Sequence, residues 1–235
     1  MSKKAVVIGL GETGNPLFEI LRMAYPGEVE GYDSGKGIHR VLPGGRFDFL
    51  NICFPWGSNF LNDVLGYIRL FEPEVTIIHS TVPVGTTRNF KTAVHSPILG
   101  RHNQMLKDLL TYEKWIGGER AAKAAAFFEK AGMNCRTCST AEETELLKLM
   151  CLAKFGVDVA FARYRESLCE RFGVPYESVV EWDHQYNTGV AFHMRRPLIV
   201  RGESKKIGGH CVIPGTKLLN HHLPNAMLEE VLKYG

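Results

Sequence analysis

The chain has 235 residues, 45% of them hydrophobic and 23% charged, with a formal net charge of +3. That balance belongs to a globular protein able to bury one large core or two small ones, and it excludes a disordered or fibrous chain. The positive excess is scattered without a basic block, no apolar stretch approaches the ~20 residues of a membrane span, and the run Ala5 to Leu10 is too short for a signal sequence. Neither nucleic acid nor membrane is therefore expected as a partner, and the cytoplasm is the expected compartment.

The first element is a β-branched run, Ala5-Val6-Val7-Ile8, feeding the turn Gly9-Leu10-Gly11-Glu12-Thr13-Gly14. A helix and a second short strand, Val29 to Tyr32, follow, and Asp33 closes that strand nineteen residues after Gly14. Strand, G-x-G-x-x-G turn, helix, strand and acid in this order form the arrangement that holds a dinucleotide. Gly9 permits the tight turn, Gly11 lets backbone N–H groups approach a pyrophosphate, and Gly14 lets the helix pack close to the strand. The helix N-terminus then faces the phosphates with its positive dipole end. Asp33 can accept hydrogen bonds from a ribose 2′-OH and would repel a 2′-phosphate, so NAD is expected over NADP. Gly9, Gly11, Thr13, Gly14 and Asp33 are the cofactor-binding candidates here.

Phe47 to Phe54 reads as a buried strand ending at Pro55, Asn59 to Phe71 as a helix with apolar residues at helical spacing, and Val75 to His79 as the next strand. Thr86 to Ala93 is expected to be a short helix, Tyr112 to Ile116 a strand, Glu119 to Ala131 an alanine-rich helix and Met133 to Cys138 a last strand. This alternation describes a doubly wound α/β domain, a Rossmann sheet that is mostly parallel with helices on both faces. The pattern then changes. Ala141 to Phe172 is one long helical run without Pro, its interior Gly156 costing ~1 kcal/mol. Tyr176 to Trp182 reads as a further helix, Asn187 to Gly209 as a loop, and Thr216 to His222 and Asn225 to Lys233 as two short helices. A boundary is expected near residue 140, between an NAD-binding domain (1–140) and a smaller all-helical domain (141–235).

The six cysteines are scattered, which favours reduced thiols over a disulfide framework. Cys135 and Cys138 form a C-x-x-C, but no second pair or histidine follows at ligand spacing, and the motif ends a strand where a redox pair would open a helix. No metal site is expected.

Three segments add chemistry to the glycine turn. Ser80-Thr81-Val82-Pro83-Val84-Gly85-Thr86-Thr87 lies past a strand's carboxyl end, where open α/β sheets bind ligands, and its hydroxyls and amides suit a nicotinamide ribose or a sugar. A Ser/Thr-rich turn with a helix cap explains the same residues. Glu145 and Lys148 share a helix face at i and i+3, the usual spacing of a solvated ion pair. Ile207-Gly208-Gly209-His210-Cys211-Val212-Ile213-Pro214 sets paired glycines beside a thiol, which can be a nucleophile reached by a ligand or a tight turn with a buried cysteine.

Gly9-x-Gly11-x-x-Gly14, Asp33, Asn51-Ile52-Cys53-Phe54-Pro55, Ser80 to Thr87, Glu145-x-x-Lys148 and Gly208-Gly209-His210-Cys211 together resemble, in the same order, the UDP-sugar dehydrogenases. Those enzymes oxidise a sugar CH₂OH to a carboxylate with two NAD. The resemblance implies cofactor contacts from Phe54, Pro55, Ser80 and Thr81 besides the glycine turn. It also implies Cys211 as a thiohemiacetal-forming nucleophile, Lys148 as the ammonium that steadies an oxyanion, and Thr81 as a hydroxyl near the reacting carbon. The long helix at 141–172 would form a homodimer interface, and the substrate would be a small molecule, a sugar nucleotide in the family itself.

The sequence also departs from that pattern. Leu152 stands where the family has an asparagine one turn after the lysine. Cys211-Val212-Ile213-Pro214-Gly215-Thr216 lacks the lysine–aspartate pair, and Ser96-Pro97-Ile98-Leu99-Gly100-Arg101-His102 lacks the glutamate. The chain ends before a third, UDP-binding domain. His102 and His210 are substitute bases only if they are not ordinary surface or hydrogen-bonded histidines. A single oxidation of a smaller substrate, a dehydrogenase of the 6-phosphogluconate type that needs no cysteine, and a non-catalytic dinucleotide-binding protein are the readings that follow from these losses.

Overall fold

In the first strand, β1 (Lys3–Ile8), successive residues face opposite ways, and every one from Ala5 onward is buried. Ala5 and Val7 enter one core with Leu17, Phe18 and Leu21 of α1 (Gly14–Ala24) and Phe127 and Phe128 of α4 (Ala121–Lys130). Val6 and Ile8 enter a second core with Phe60, Val64 and Phe71 of α2 (Phe60–Phe71). A strand apolar on both faces belongs in the middle of a sheet covered by helices on both sides. The computed structural model, which describes residues 3–189, 207, 211–222 and 224–235, has that architecture.

The remaining strands are β2 (Val29–Tyr32), β3 (Phe47–Ile52), β4 (Val75–Ile78), β5 (Ala93–His95), β6 (Lys114–Gly117) and β7 (Cys135–Cys138), in the sheet order β2-β1-β3-β4-β5-β6-β7. All neighbours run parallel except β5 and β6, which meet antiparallel at His95 and Gly117. α3 (Met105–Thr111) lies between β5 and β6 in the chain. The other helices are α5 (Ala141–Phe172), α6 (Tyr176–Gly189), α7 (Val212–His222) and α8 (Ala226–Leu232). The chain forms two compact units, Met1–Lys148 and Leu149–Gly235.

In the second unit, Ala160, Val212 and Val231 bring α5, α7 and α8 into one apolar cluster with Ile207. Gly156 makes this possible: a Cβ there would lie 2.7 Å from Val231 Cγ1 and 3.2 Å from Val212 Cγ1. Gly215 does the same for α7, since its Cβ would lie 2.7 Å from Leu152 Cδ1. α6 is tied to α5 by Arg165, which donates to the buried Asp183 carboxylate at 2.8 Å.

Four local expectations are corrected. Thr86 to Ala93 is not a helix: only Thr87–Asn89 makes a 3₁₀ turn, and Ala93 begins β5, because the backbone N–H groups of Gly85 and Thr87 are claimed by a side chain from α5. α3 has no counterpart in the periodicity, since it is seven residues long and buries only Met105, Asp108 and Leu109. α6 continues to Gly189 through a polar tail that reads as loop, held by the Arg165–Asp183 pair. α7 begins at Val212 rather than Thr216, with Cys211 C=O accepting from Gly215 N–H at 2.9 Å and Pro214 in the first turn, where it is tolerated.

Candidate functional site

β2 and β3 lie on opposite sides of β1, so the chain reverses direction across the sheet there, and the carboxyl ends of β1 and β3 flank the crevice this creates. The glycine turn occupies it. Gly9 has φ +90, and a Cβ on it would sit 2.8 Å from Phe54 N. Gly14 is still tighter, its Cβ falling 1.8 Å from Gly9 O, so α1 starts directly against the turn. Gly11 differs from both, for a Cβ on it would meet no atom of the described residues within 4 Å. Nothing in the fold requires a glycine at that position, and the space in front of its backbone is what an approaching pyrophosphate needs. Thr13 is the residue before α1, no acid stands in the helix's first turn, and its positive end is not neutralised from within. These residues fit a dinucleotide.

Asp33 lies beside the turn and is already engaged. Its Oδ2 accepts from Leu10 N at 2.8 Å and its Oδ1 from Gly35 N at 2.9 Å. A carboxylate has about four acceptor positions, so lone pairs remain for a ribose. Phe54 turns its ring onto Phe60 and Tyr67 at 5.1 and 6.1 Å between centroids, leaving its backbone and the exposed Pro55 at the crevice. The Ser80 hydroxyl donates to Phe54 O at 2.6 Å, which ties the loops after β3 and β4 together. The Thr81 hydroxyl, half-buried, has no hydrogen-bond partner among the described residues.

The start of α5 organises the next loops. Gly117 admits the helix, since a Cβ there would lie 2.2 Å from Thr140 O. Thr144 then meets His95 Nδ1 at 2.9 Å, Glu145 accepts from Gly85 N, Thr87 N and Thr87 Oγ1, and Lys148 Nζ donates to Ile98 O at 2.8 Å. The solvated Glu145–Lys148 pair suggested by the spacing is not formed, for Glu145 has no exposed surface and its oxygens belong to the 85–87 turn. A signal for this existed: Glu145 stands four residues after Ala141 and four before Leu149, on the buried face of the helix.

Sequence reasoning also missed a polar chain beneath the crevice. Asn51 Oδ1 meets His79 Nε2 at 3.0 Å, His79 Nδ1 lies 2.7 Å from Ser96 O, and Lys114 Nζ approaches His79 Nδ1 at 3.3 Å and Ser96 O at 3.4 Å. Burial, then the Lys114 charge, holds His79 well below the usual histidine range. Burial brings His95 down to about 3 and Lys114 down to about 8. Desolvation pushes the Cys53 thiol up to about 12 and Cys135 up to about 11, so neither is poised as a nucleophile. Cys135 and Cys138 are the two end residues of the edge strand β7. Among the described residues no cluster of His, Cys, Asp or Glu could hold a metal, and no helix is long and apolar enough to cross a membrane.

In the second unit Cys211 is half-buried immediately before α7. Leu152 packs on Gly215 of that helix, so its position is filled by an apolar contact. Gly208, Gly209 and His210, together with most of the loop expected at 187–209, lie outside the described residues, as does the side chain of His102.

No protein-family model matches the chain, and no curated protein matches it in sequence. Solved structures do match. The UDP-D-ManNAc dehydrogenase of Pyrococcus horikoshii superposes with a TM-score of 0.79 at 18% identity, over 98% of this chain and 68% of that one. The UDP-N-acetylmannosamine dehydrogenase of Staphylococcus aureus gives 0.74 at 17% identity, over 99% of this chain and 67% of that one. The fold is that of a Rossmann-type dehydrogenase. The chain spans about two thirds of the length of those two sugar-nucleotide dehydrogenases. It spans 92% of the 3-hydroxyisobutyrate dehydrogenase of Mycobacterium tuberculosis, to which it is 16% identical with a TM-score of 0.73 over 99% of its own length.

Proposed function

We propose that the protein is an NAD-dependent dehydrogenase that oxidises the alcohol of a small molecule, a sugar derivative or a hydroxy acid, in a single step. The observation that carries this reading is the crevice at the end of β1, where Gly11 leaves its backbone approachable and α1 begins with no acid in its first turn. When bound there, the nicotinamide supplies hydride acceptance. Thr81, whose hydroxyl has no hydrogen-bond partner among the described residues, hydrogen-bonds the substrate or the ribose beside it. The Lys148 ammonium donates to the carbinol oxygen and stabilises the negative charge that builds there as its proton leaves to solvent.

Two observations favour one oxidation over two. Leu152 cannot donate a hydrogen bond to an oxyanion and is held against Gly215, and the family aspartate after the cysteine is replaced within Val212-Ile213-Pro214-Gly215-Thr216. The second reading, a thiohemiacetal on Cys211 followed by a further hydride transfer, is favoured by the placement of Cys211 at the N-terminal end of α7, where developing negative charge is stabilised. The deciding experiment follows NADH formation with UDP-sugars and with three- and four-carbon hydroxy acids. One NADH per substrate, retention of activity in Cys211→Ser and its loss in Lys148→Met are expected; a yield of two NADH that disappears in Cys211→Ser establishes the thioester route. Protein that neither binds NADH nor forms it refutes both. A homodimer formed through α5 completes the proposal, supported by the exposed apolar residues of that helix.

A further inference from the structure

Glu145 is a carboxylate with no exposed surface and no cationic partner among the described residues. A charge is kept in such a place only where hydrogen bonds compensate it. Its compensation comes from one turn: Gly85 N at 2.6 Å, Thr87 N at 2.8 Å and Thr87 Oγ1 at 2.6 Å. That turn is otherwise closed on itself, with φ +88 at Gly85 and Thr86 Oγ1 on Pro83 O at 2.7 Å. Its upstream end leads directly from Thr81. On the same helix, Lys148 is one turn further along and fixed on Ile98 O.

We infer that Glu145 is a positioning residue which sets the Thr81–Thr87 segment against Lys148 and so shapes the nicotinamide half of the cofactor site, without acting on the ADP half. The inference rests on the proposed cofactor reading. The division follows from the layout, since the glycine turn and Asp33 follow β1 and β2, whereas among the described residues Glu145 accepts from the loop after β4 alone. Glu145→Gln keeps the side chain's shape but turns an amide donor toward one of the three donors it must accept from, so the turn can no longer close on it.

The test measures binding of NADH and of ADP-ribose, which lacks the nicotinamide, to the full chain and its variants. Glu145→Gln is expected to weaken NADH about tenfold and leave ADP-ribose within about twofold, the loss expected for a charge-assisted contact. Thr87→Val, which removes one of the three hydrogen bonds and leaves the carboxylate in place, gives a smaller loss in the same direction. It also carries the test if the first variant does not fold. A merely structural role lowers the melting temperature without separating the two ligands. Equal weakening of both, or of neither, overturns the inference while leaving the cofactor reading intact; wild-type protein that binds neither ligand overturns the cofactor reading and this inference with it.

Discussion

At the scale of single residues, Lys114 is the least comfortable group in the first unit. It is 5% exposed, and among the described residues its ammonium meets His79, the Ser96 carbonyl and the face of Phe128, none of which carries a full negative charge. Burial lowers its pKa from 10.5 to about 8, so between those values the unfolded chain binds the proton that the folded chain has lost. Stability from this group therefore rises with pH through that window, and the penalty is constant below it. Cys53 and Cys135 act in the opposite sense above pH 9, because burial raises them and the unfolded thiols ionise first. In urea unfolding, the Lys114→Met variant is expected to be about 1–3 kcal/mol more stable than wild type at pH 7, since a similar volume replaces a buried charge. Its advantage should shrink by about 1 kcal/mol between pH 7 and 9, the linkage contribution of a group titrating near 8. An advantage that does not change over that range would show that Lys114 keeps its proton inside the fold.

At the scale of elements, two glycines in helices make opposite predictions. Gly66 in α2 has open space around its missing Cβ, so Gly66→Ala should stabilise the protein by up to about 1 kcal/mol through helix propensity and reduced unfolded-state entropy. Gly156 in α5 faces Val231 and Val212, so Gly156→Val should overpack the helix crossing and cost about 1–3 kcal/mol, with both effects read from melting temperatures. The same contrast between pattern and contact explains what the amino-acid order disclosed. α5 was legible to the residue because 32 residues run without a Pro to stop them, and the glycine turn because Gly9 and Gly14 are demanded by close approaches within the fold. β5 was not, because three residues cannot show an alternation. The roles of Glu145 and Asp183 were hidden for another reason: an acid facing a base along a helix and an acid buried against a distant partner are written with the same letters. The Thr81 segment reads as a ligand-facing turn or as a Ser/Thr-rich turn with a helix cap; Thr86, at the cap position of the 3₁₀ turn, makes no side-chain cap bond, and Gly85 and Thr87 are held instead by Glu145 of α5.

At the scale of the whole molecule, the surface of α5 carries the strongest expectation. Phe161 and Tyr164 are exposed by 59% and 55%, and the half-buried Leu168 continues their spacing of three and four residues along one side of the helix. Isolated apolar residues on a surface need no explanation, but two neighbouring exposed aromatic side chains with a leucine in register on one helix face form an interface pattern. A self-complementary patch pairs most simply with its own copy across a two-fold axis, each residue meeting its symmetry partner's neighbours. Light scattering coupled to gel filtration is expected to give twice the chain mass of 26.3 kDa. Phe161→Glu combined with Tyr164→Glu places two like charges on each copy at the centre of the contact, and should yield a folded monomer with unchanged helix content by circular dichroism. Because ligand binding stabilises only the folded state, adding NADH at about 100 times its dissociation constant should raise the unfolding free energy by about 2.7 kcal/mol in both dimer and monomer if each first unit carries its own complete crevice. A monomeric variant that loses this ligand-induced gain, while keeping its helix content, would mean that the partner copy contributes to the site. Wild-type protein that elutes at the mass of one chain at tens of micromolar would mean that α5 is covered by something other than a second copy.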